Sequence, residues 1–375
     1  MKRAIVVTLV VLALSGAAAR PAEAPFAVAK APFVFHFPND HGAHSLYQTE
    51  WWYFTGHLRA PDRRRFGYEL TFFRARLRRE SADEVPAPGS TGRSHWRGDQ
   101  IYAAHFAITD EAGRKFFHAE RAARQALGLG SAATGRLEVR AADWSLLGEP
   151  ISGPLRERMS LHAAAAANRL DLVLTPLKAP AIHGHDGVMR KGSCATCASH
   201  YYSYTRLQTR GTLAYAGTTF KIEGSSWMDH EFGTNQLTAD EVGWDWFALQ
   251  LDDGRELMLY RFRRKDGTYA PQSEGSLVER DGRVRTLAAA QFEVTAAGRW
   301  HSPKTQADYP SGWRVAVPSA GIDVNLMPAL ADQEIGLSNG PSYWEGAVEV
   351  RDAKTSRALG RAYVELTGYA DPVVM

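Results

Sequence analysis

Four large aromatic residues, Trp51, Trp52, Tyr53 and Phe54, follow one another in this chain. Successive side chains of a β-strand point to opposite faces of the sheet, so these four rings cannot all enter one core. We therefore expect both faces of this strand to be covered. One face would pack into a core, and the other would line a cavity or lie under a loop.

The aromatic segment has a counterpart in the second half of the chain. Residues 244–251 align without gaps to residues 51–58, so that Trp51 matches Trp244 and Tyr53 matches Trp246. The acidic segment at residues 223–229 likewise resembles residues 365–371. We therefore expect one structural unit to be used twice, over residues 33–235 and residues 242–375.

Short alternating segments separated by turn residues dominate both halves, which predicts many β-strands and few helices. A short helix is predicted only at residues 119–127, and loops at residues 81–98 and 179–199. A closed up-and-down barrel brings its first and last strands together and so removes exposed edges. We therefore predict an all-β protein made of two consecutive calycin-like, or lipocalin-like, antiparallel β-barrels.

Residues 1–24 have the composition of an export signal. A positive start is followed by an apolar run, and small residues offer cleavage sites after Ala19 or Ala24. The run is shorter than the roughly twenty residues of a transmembrane helix, and no later segment approaches one. We expect an exported protein, periplasmic or extracellular, with no integral membrane span after cleavage.

The charge balance argues against nucleic acid as a partner, because a net charge of +3 over 375 residues is small. Arg74 and Arg76 alternate with shorter or apolar residues at the strand period of two. We interpret them as part of a solvated strand face. An anionic partner such as a membrane surface is the alternative.

The two cysteines, Cys194 and Cys197, form a C-x-x-C sequence. In an oxidising compartment we expect a local disulfide. A redox dithiol is an alternative, although the flanking residues lack the strand-to-helix setting that lowers the pKa of a thiol. A zinc site is a further alternative and would need two more ligands, with His183, His185 and His200 as candidates.

Polar residues suited to chemistry are concentrated in three segments, residues 39–44, 183–186 and 227–233. His41 and His44 lie three residues apart without a helix to bring them together, and no zinc signature occurs, so no metal ion is expected. The chain also lacks G-x-S-x-G, which argues against a serine hydrolase with a nucleophile elbow.

The third segment places carboxyl groups among aromatic residues. Strand alternation predicts that one face carries Met228, His230 and Phe232, and the other Trp227, Asp229 and Glu231. Burial and a neighbouring like charge both raise the pKa of a carboxyl group, so one of the two could act as a general acid. Aromatic faces would stabilise a carbocation formed from an alkene. Alternatively, residues 229–231 form a buried hydrogen-bond network that joins the two barrels.

Five segments together resemble the superfamily of AttH and carotenoid 1,2-hydratase (CrtC-type) lipocalin-like proteins, and most closely its exported branch, often described as predicted secreted hydrolases. They are residues 37–44, 50–58, 201–207, 224–233 and 360–369. The resemblance implies two calycin barrels that meet at an apolar pocket. It also implies either cofactor-independent hydration of an isoprenoid double bond or a role beside a transporter, and it places Asp229 where the hydratases keep their proton donor.

We therefore expect an exported protein that binds an apolar small molecule or a lipid without a cofactor. The interpretation includes service to components of an ABC-type export system. The alternative is a hydratase or lyase in which Asp229 is the acid. The candidate catalytic residues are Asp229, His230, Glu231 and Tyr202. The candidate ligand-binding residues are Asp40, His41, Trp51, Tyr53, Trp227, Trp244 and Trp246.

Overall fold

The computed structural model describes residues 26–77, 99–125, 128–151, 157–194, 196–234, 237–338 and 340–373. These residues form an all-β protein with a nearly closed barrel sheet and a half-barrel sheet, so the predicted fold class is confirmed. The predicted export signal at residues 1–24 and the predicted loop at residues 81–98 lie outside the described residues. Among the residues that are described, no helix has the length and apolar character needed to cross a bilayer.

The first sheet is antiparallel, with the strand order β4-β3-β2-β1-β13-β12-β9-β8-β7-β6-β5, and β10 and β11 also pair with β12. Its strands are β1 Thr49–Arg59, β2 Arg65–Arg76, β3 Gln100–Asp110, β4 Lys115–Arg124, β5 Gly130–Ala132, β6 Glu138–Ala141, β7 Trp144–Pro150, β8 Glu157–Ala165, β9 Asn168–Pro176, β10 Ala181–Ile182, β11 Met189–Arg190, β12 Ala198–Tyr215 and β13 Thr218–Gly233.

The second sheet has the order β17-β16-β15-β14-β25-β24-β22-β21-β18, with β23 beside β24, and β19 and β20 form a separate ribbon. These strands are β14 Glu241–Leu251, β15 Glu256–Arg264, β16 Glu274–Val278, β17 Val284–Ala288, β18 Glu293–Ala296, β19 Arg299–His301, β20 Asp308–Pro310, β21 Trp313–Val317, β22 Ile322–Pro328, β23 Glu334–Ile335, β24 Tyr343–Asp352 and β25 Ala358–Leu366. Short 3₁₀ helices cover Asn39–His41, Ala289–Gln291 and Pro318–Ala320.

In each sheet the first and last long strands are neighbours, as predicted. β1 pairs with β13 along its whole length, and β14 pairs with β25. These pairs lie in the middle of their sheets, so each of the four strands has a neighbouring strand on both sides.

The aromatic run on β1 is buried on both faces. Trp52 and Phe54 point into the core of the first sheet, whereas Tyr53 lies in a separate cluster, with Trp51 packed against it, between the two sheets. β14 repeats this arrangement, with Phe247 and Leu249 in the core of the second sheet and Trp244 and Trp246 in the cluster between the sheets. The outer faces of the two sheets therefore pack on each other, which explains why these strands have no polar face.

The predicted helix at residues 119–127 is wrong. β4 occupies residues 115–124 and pairs with β3 over ten residues. The alanines that suggested a helix have a high intrinsic helix propensity, but the sheet ladder and the packing of Phe117 and Ala119 on the core outweigh it.

The interpretation of Arg74 and Arg76 as a solvated face is also wrong. Both side chains are buried, at 1% and 7% exposure. Arg74 donates to Glu50 (2.8 Å) and Arg76 pairs with Asp99 (3.0 Å). Each guanidinium is retained in the interior because it is paired with a carboxylate.

Candidate functional site

A cavity of about 70 Å³ lies between the outer faces of the two sheets. Eight of its thirteen lining residues are aromatic and four are acidic. The lining consists of Trp51, Tyr53, Thr71, Phe73, Tyr201, Asp229, Glu231, Trp244, Trp246, Tyr260, Tyr343, Glu345 and Glu365. The wall thus combines apolar ring faces with carboxyl groups.

Strand register places the residues of β13 as alternation predicts. Asp229 lies opposite Tyr53 and Glu231 lies opposite Trp51, so all four point into the cavity. Met228 and His230, between them in sequence, lie opposite Phe54 and Trp52 and point into the first barrel.

Asp229 is fully enclosed by hydrogen-bond donors. Tyr201 Oη donates to Oδ2 at 2.6 Å, Trp227 Nε1 donates to Oδ1 at 2.5 Å, and Ser203 Oγ also donates to Oδ1. Tyr201 in turn accepts a bond from Trp246 Nε1 at 3.1 Å. Trp227, a predicted ligand-binding residue, therefore orients the carboxyl group and does not line the cavity itself.

Burial, and to a lesser extent the like charge of Glu231, raises the pKa of Asp229 to about 7, in spite of the three hydrogen bonds that favour its charged form. A carboxyl group with this pKa carries a proton for part of the time at neutral pH. It can therefore donate that proton to a bound molecule.

Two further acidic residues on the opposite wall were missed by sequence reasoning. Glu365 lies opposite Trp246 in the pairing of β14 with β25, just as Asp229 lies opposite Tyr53 in the pairing of β1 with β13. Glu345, on β24, is the cross-strand partner of Glu365.

When the two halves are compared by strand pairing, Asp229 of the first half therefore corresponds to Glu365 of the second half. The alignment of residues 223–229 with residues 365–371 is wrong, because Glu223 pairs with Arg59 at the far end of β1 and Asp371 is exposed. The two aromatic segments align correctly. Pairing each of them with its neighbouring acidic strand in the same register would therefore have identified the match between Asp229 and Glu365.

Glu231 is paired with a buried lysine. Lys191 Nζ lies 2.6 Å from Glu231 Oε1, and both side chains are nearly inaccessible to solvent. The same ammonium group lies 3.8 Å from the centroid of the Tyr260 ring and 5.2 Å from that of Tyr201. Carboxylate and ring faces together hold this cation beside the cavity.

His183 connects Asp229 to the second sheet. Its Nε2 lies 2.6 Å from Ser203 Oγ and its Nδ1 lies 2.8 Å from Ser276 Oγ on β16. Burial lowers the pKa of His183 to about 3, so the ring is neutral and accepts one of these bonds while donating the other. This chain of bonds matches the alternative interpretation of a network that joins the two barrels.

The remaining predicted residues belong to a second network inside the first barrel. Tyr202 Oη lies 2.6 Å from His41 Nδ1 and 3.1 Å from His230 Nδ1. His230 Nε2 lies 2.9 Å from Glu50 Oε1, and Asp40 Oδ1 lies 3.2 Å from His44 Nε2. The structure does not bring Tyr202, His230, His41 or Asp40 to the cavity.

His44, Glu50 and His230 come close to the geometry of a metal site, since their ligand atoms lie within 4.8 Å of one another. Yet the Glu50 oxygens already accept bonds from both histidines and from Arg74. The guanidinium supplies the positive charge that a metal would otherwise provide. These residues therefore fit a hydrogen-bonded ion network better than a metal site.

Cys194 and Cys197 are joined by a disulfide. The bridge closes the turn that follows β11, next to Lys191 in the sequence. Neither cysteine lies in the cavity wall.

The family model described as AttH-like matches residues 28–369 of this chain. The chain belongs to the AttH-like family. The crystal structure of an AttH from Nitrosomonas europaea is similar, with 33% sequence identity, a TM-score of 0.79, and coverage of 92% of this chain and 100% of that chain.

The structure of kievitone hydratase from Nectria haematococca is also similar, with 12% identity and a TM-score of 0.65, covering 93% of this chain and 97% of that chain. At this identity the likeness concerns the fold alone. Among curated protein sequences, none matches this AttH-like protein.

Proposed function

We propose that this AttH-like protein binds an apolar small molecule, one end of which enters the cavity between the two sheets. The observation that carries the proposal is the cavity wall, in which eight of thirteen residues are aromatic. Aromatic faces attract apolar groups, and ligand pockets are generally lined by such side chains with a few polar groups that fix orientation.

The size of the cavity limits what enters it. A single water needs roughly 10–15 Å³ of such volume, so 70 Å³ has room for about five water-sized groups. A branched end of five or so heavy atoms fits, whereas a whole lipid does not. The remainder of a longer ligand would extend along the opening.

Solvent extraction of the purified protein followed by mass spectrometry tests this proposal. We expect a co-purifying small molecule with an apolar portion, and its recovery should fall when Trp246 is replaced by Ala. Leu177→Ala, at an exposed leucine that does not line the cavity, is the control. Equal recovery from both variants would contradict binding in this cavity.

A second candidate function is hydration of a carbon–carbon double bond, and the position of Asp229 favours it. The protonated carboxyl would transfer its proton to one alkene carbon, leaving a positive charge on the other carbon among the ring faces. Water would then bond to that carbon and lose a proton to an ionised carboxylate such as Glu365. Hydrogen and hydroxyl are thus added, and Asp229 recovers its proton through the other acidic groups or solvent.

Replacement of Asp229 by Asn tests this mechanism. The amide keeps the size of the carboxyl but cannot donate a proton to carbon, so turnover of a reactive isoprenoid alkene should fall by about 10²–10⁴-fold. Products from a panel of isoprenoid alkenes would be quantified by mass spectrometry. Glu223→Gln, which alters an exposed carboxyl, should retain full turnover. Unchanged turnover in Asp229→Asn would rule out Asp229 as the acid.

We also propose that the protein is exported and acts beside components of an ABC-type export system. Expression with the native amino terminus, followed by cell fractionation and terminal sequencing, should yield a periplasmic or secreted chain that begins at Arg20 or Pro25. A full-length chain in the cytoplasm would contradict export.

Affinity purification from the native host should recover transporter subunits, and their absence after cross-linking would contradict the association.

A further inference from the structure

We propose that the group entering the cavity carries a permanent positive charge, as in a quaternary ammonium. This inference rests on the proposed binding of a small molecule in the same cavity, and it names the chemical class of the end that is recognised. The aromatic wall would hold the methyl groups, and the carboxyl groups would supply the countercharge.

The first argument is the imbalance of charge. Within the part of the chain that the structure describes, the cavity is lined by four carboxyl groups and by no lysine, arginine or histidine. Lys191 lies behind the wall and is bound to Glu231. Among the described residues, Asp229, Glu345 and Glu365 form no salt bridge with a cation, and Lys191 acts on Glu365 only at longer range. Buried carboxylates are ordinarily paired or neutralised.

The second argument is an acceptor atom without a partner. Glu345 is only 1% exposed, and its Oε1 accepts a bond from Tyr53 Oη at 2.8 Å. Its Oε2 has no hydrogen-bond partner in the part of the chain that the structure describes. The oxygen is itself buried, and because Glu345 lines the cavity, an acceptor without a partner lies directly beside any ligand that enters.

The third argument is the position of Glu345 directly opposite Glu365 on neighbouring strands. Like charges in this arrangement destabilise a sheet. The pair is tolerated when protons or a cation neutralise it. A cation bound between the two carboxyl groups would therefore relieve a repulsion that is built into the fold.

Lys191 shows that this wall binds an ammonium group. Its Nζ contacts the Glu231 carboxylate at 2.6 Å and lies over the ring of Tyr260 at 3.8 Å. Both partners also line the cavity. The carboxyl groups and rings on the opposite side, around Glu345, Glu365 and Trp244, provide the same combination, and no described residue places a cation between them.

The dimensions also suit such a group. Room for about five water-sized groups corresponds to the nitrogen and four carbons of a tetraalkylammonium head. Aromatic cages recognise quaternary ammonium groups because the negative faces of the rings attract the cation and the cation costs little to desolvate.

Binding of a cation should be linked to release of protons. Burial raises the pKa of Glu365 to about 7 and raises that of Glu345 well above its usual range. The charged or titratable groups that face this pair are Glu69, Asp229, Glu231, Lys191, Tyr53, Tyr260, Tyr343 and Tyr363. A bound cation stabilises the ionised carboxylates, so protons leave and affinity rises with pH.

The test uses two probes of the same shape, choline and its neutral isostere 3,3-dimethylbutan-1-ol, titrated into the full-length protein by calorimetry. We expect choline to bind at least about tenfold more tightly at pH 8, the difference expected for a desolvated cation on aromatic faces. Between pH 8 and pH 6 the affinity for choline should fall, by up to about tenfold per pH unit for each proton released. The affinity for the alcohol should not change.

Variants locate the effect. Glu345→Gln and Glu365→Gln each retain side-chain size. Each should reduce the preference for choline several-fold without weakening the binding of the alcohol. Trp51→Leu should weaken choline more than the alcohol, because it removes a ring face. Glu223→Gln alters an exposed carboxylate that is paired with Arg59, and it should leave the affinity for both probes unchanged. Circular dichroism would confirm that each variant is folded, and the pH series on the wild-type protein provides the test if a variant does not fold.

The outcomes separate this inference from the proposed function. Equal affinity for the two probes, or tighter binding of the alcohol, would overturn the cation inference while leaving apolar binding intact. If neither probe binds, both the inference and the proposed use of this cavity fail. A preference for choline that survives in both glutamine variants would also overturn the assignment of these carboxyl groups.

Discussion

Glu50 illustrates how single side chains organise the interior of the first barrel. Its carboxylate is completely buried and accepts bonds from Arg74, His44 and His230. These donors come from three separate parts of the chain, so one residue connects β1 to β2, to β13 and to the loop before β1. Asp229, two strand positions from Glu231, likewise connects β13 to β12 through the hydrogen bonds it accepts, on the side that faces the cavity.

Replacing Glu50 by Gln should destabilise the protein by about 3–5 kcal/mol, because it leaves the buried Arg74 guanidinium without its counterion. Urea denaturation followed by tryptophan fluorescence measures this change. Glu149→Gln removes an exposed carboxylate paired with Arg158 and should cost less than about 1 kcal/mol. Equal effects of the two substitutions would contradict the role assigned to Glu50.

The pH dependence of stability should carry the signature of His44. Burial opposes its charged form, but bonds to Asp40 and Glu50 outweigh burial and raise its pKa to about 9. A raised pKa means that this stabilisation is fully present below the unfolded value of about 6.5 and is lost as pH rises through about 9. Denaturation midpoints measured from pH 6 to 9.5 should fall in the wild-type protein and fall less in His44→Gln. Parallel curves would exclude His44 as the cause.

At the scale of elements, β1 and β13 determine where every cavity and core residue points. A shift of one residue in their register would exchange the two faces, moving Asp229 into the barrel and His230 into the cavity. The close approach of β1 to its neighbours helps to hold this register. A Cβ on Gly56 would lie 2.6 Å from both Ser226 Oγ and the ring of Tyr68.

Replacing Gly56 by Ala should therefore destabilise the protein by about 1–3 kcal/mol, the usual cost of overpacking. The Tyr68–Ser226 hydrogen bond of 2.7 Å would have to move to make room. Thermal unfolding monitored by circular dichroism measures the loss. Arg59→Ala, at an exposed position of the same strand, is the control and should change stability by no more than about 0.5 kcal/mol. A neutral effect of Gly56→Ala would show that β1 has room to adjust.

Across the whole molecule, buried polar contacts as well as rings join the two sheets. Glu256 on β15 is completely buried and accepts bonds from Lys178 at 2.8 Å and from Arg206 at 2.6 Å, both from the first half of the chain. Gln250 on β14 donates to the backbone oxygens of Thr205 and Ser226. These contacts fix the relative position of the sheets and hence the shape of the cavity between them.

Glu256→Gln should weaken this junction and leave Lys178 and Arg206 without their counterion. We expect a loss of about 3–5 kcal/mol and separation of the unfolding of the two sheets in differential scanning calorimetry. Asp253→Asn, which alters a more exposed carboxylate of the β14–β15 turn, should keep the wild-type profile. A single unshifted transition in Glu256→Gln would contradict a stabilising role for the junction.

Much of the fold follows from residues close together in sequence. Alternation in residues 51–54 and 244–247 indicated two buried faces, and the repeat of the aromatic segments indicated two related units. Both features depend on the strand period and on side-chain type, which are local properties. The helix predicted at residues 119–127 failed because pairing with β3, a non-local interaction, outweighed propensity.

The candidate site was only partly predictable. Six of the candidates named from sequence lie in the cavity wall, because each is on a strand whose alternation is readable: Trp51, Tyr53, Asp229, Glu231, Trp244 and Trp246. Glu365 was noted only within a misaligned repeat, and Glu345 was not noted at all, since strands rich in valine, alanine and glutamate give no local sign of what they face.

The sequence by itself determined the strand-rich architecture, the duplication and the two-sided burial of β1 and β14, because period and hydrophobicity act over a few residues. Only the tertiary structure decided which carboxyl groups share the cavity. The positions of Asp229, Glu345 and Glu365 depend on the register between strands far apart in the chain and on the packing of one sheet on the other. That packing creates a buried, acidic and aromatic surface that neither half forms alone.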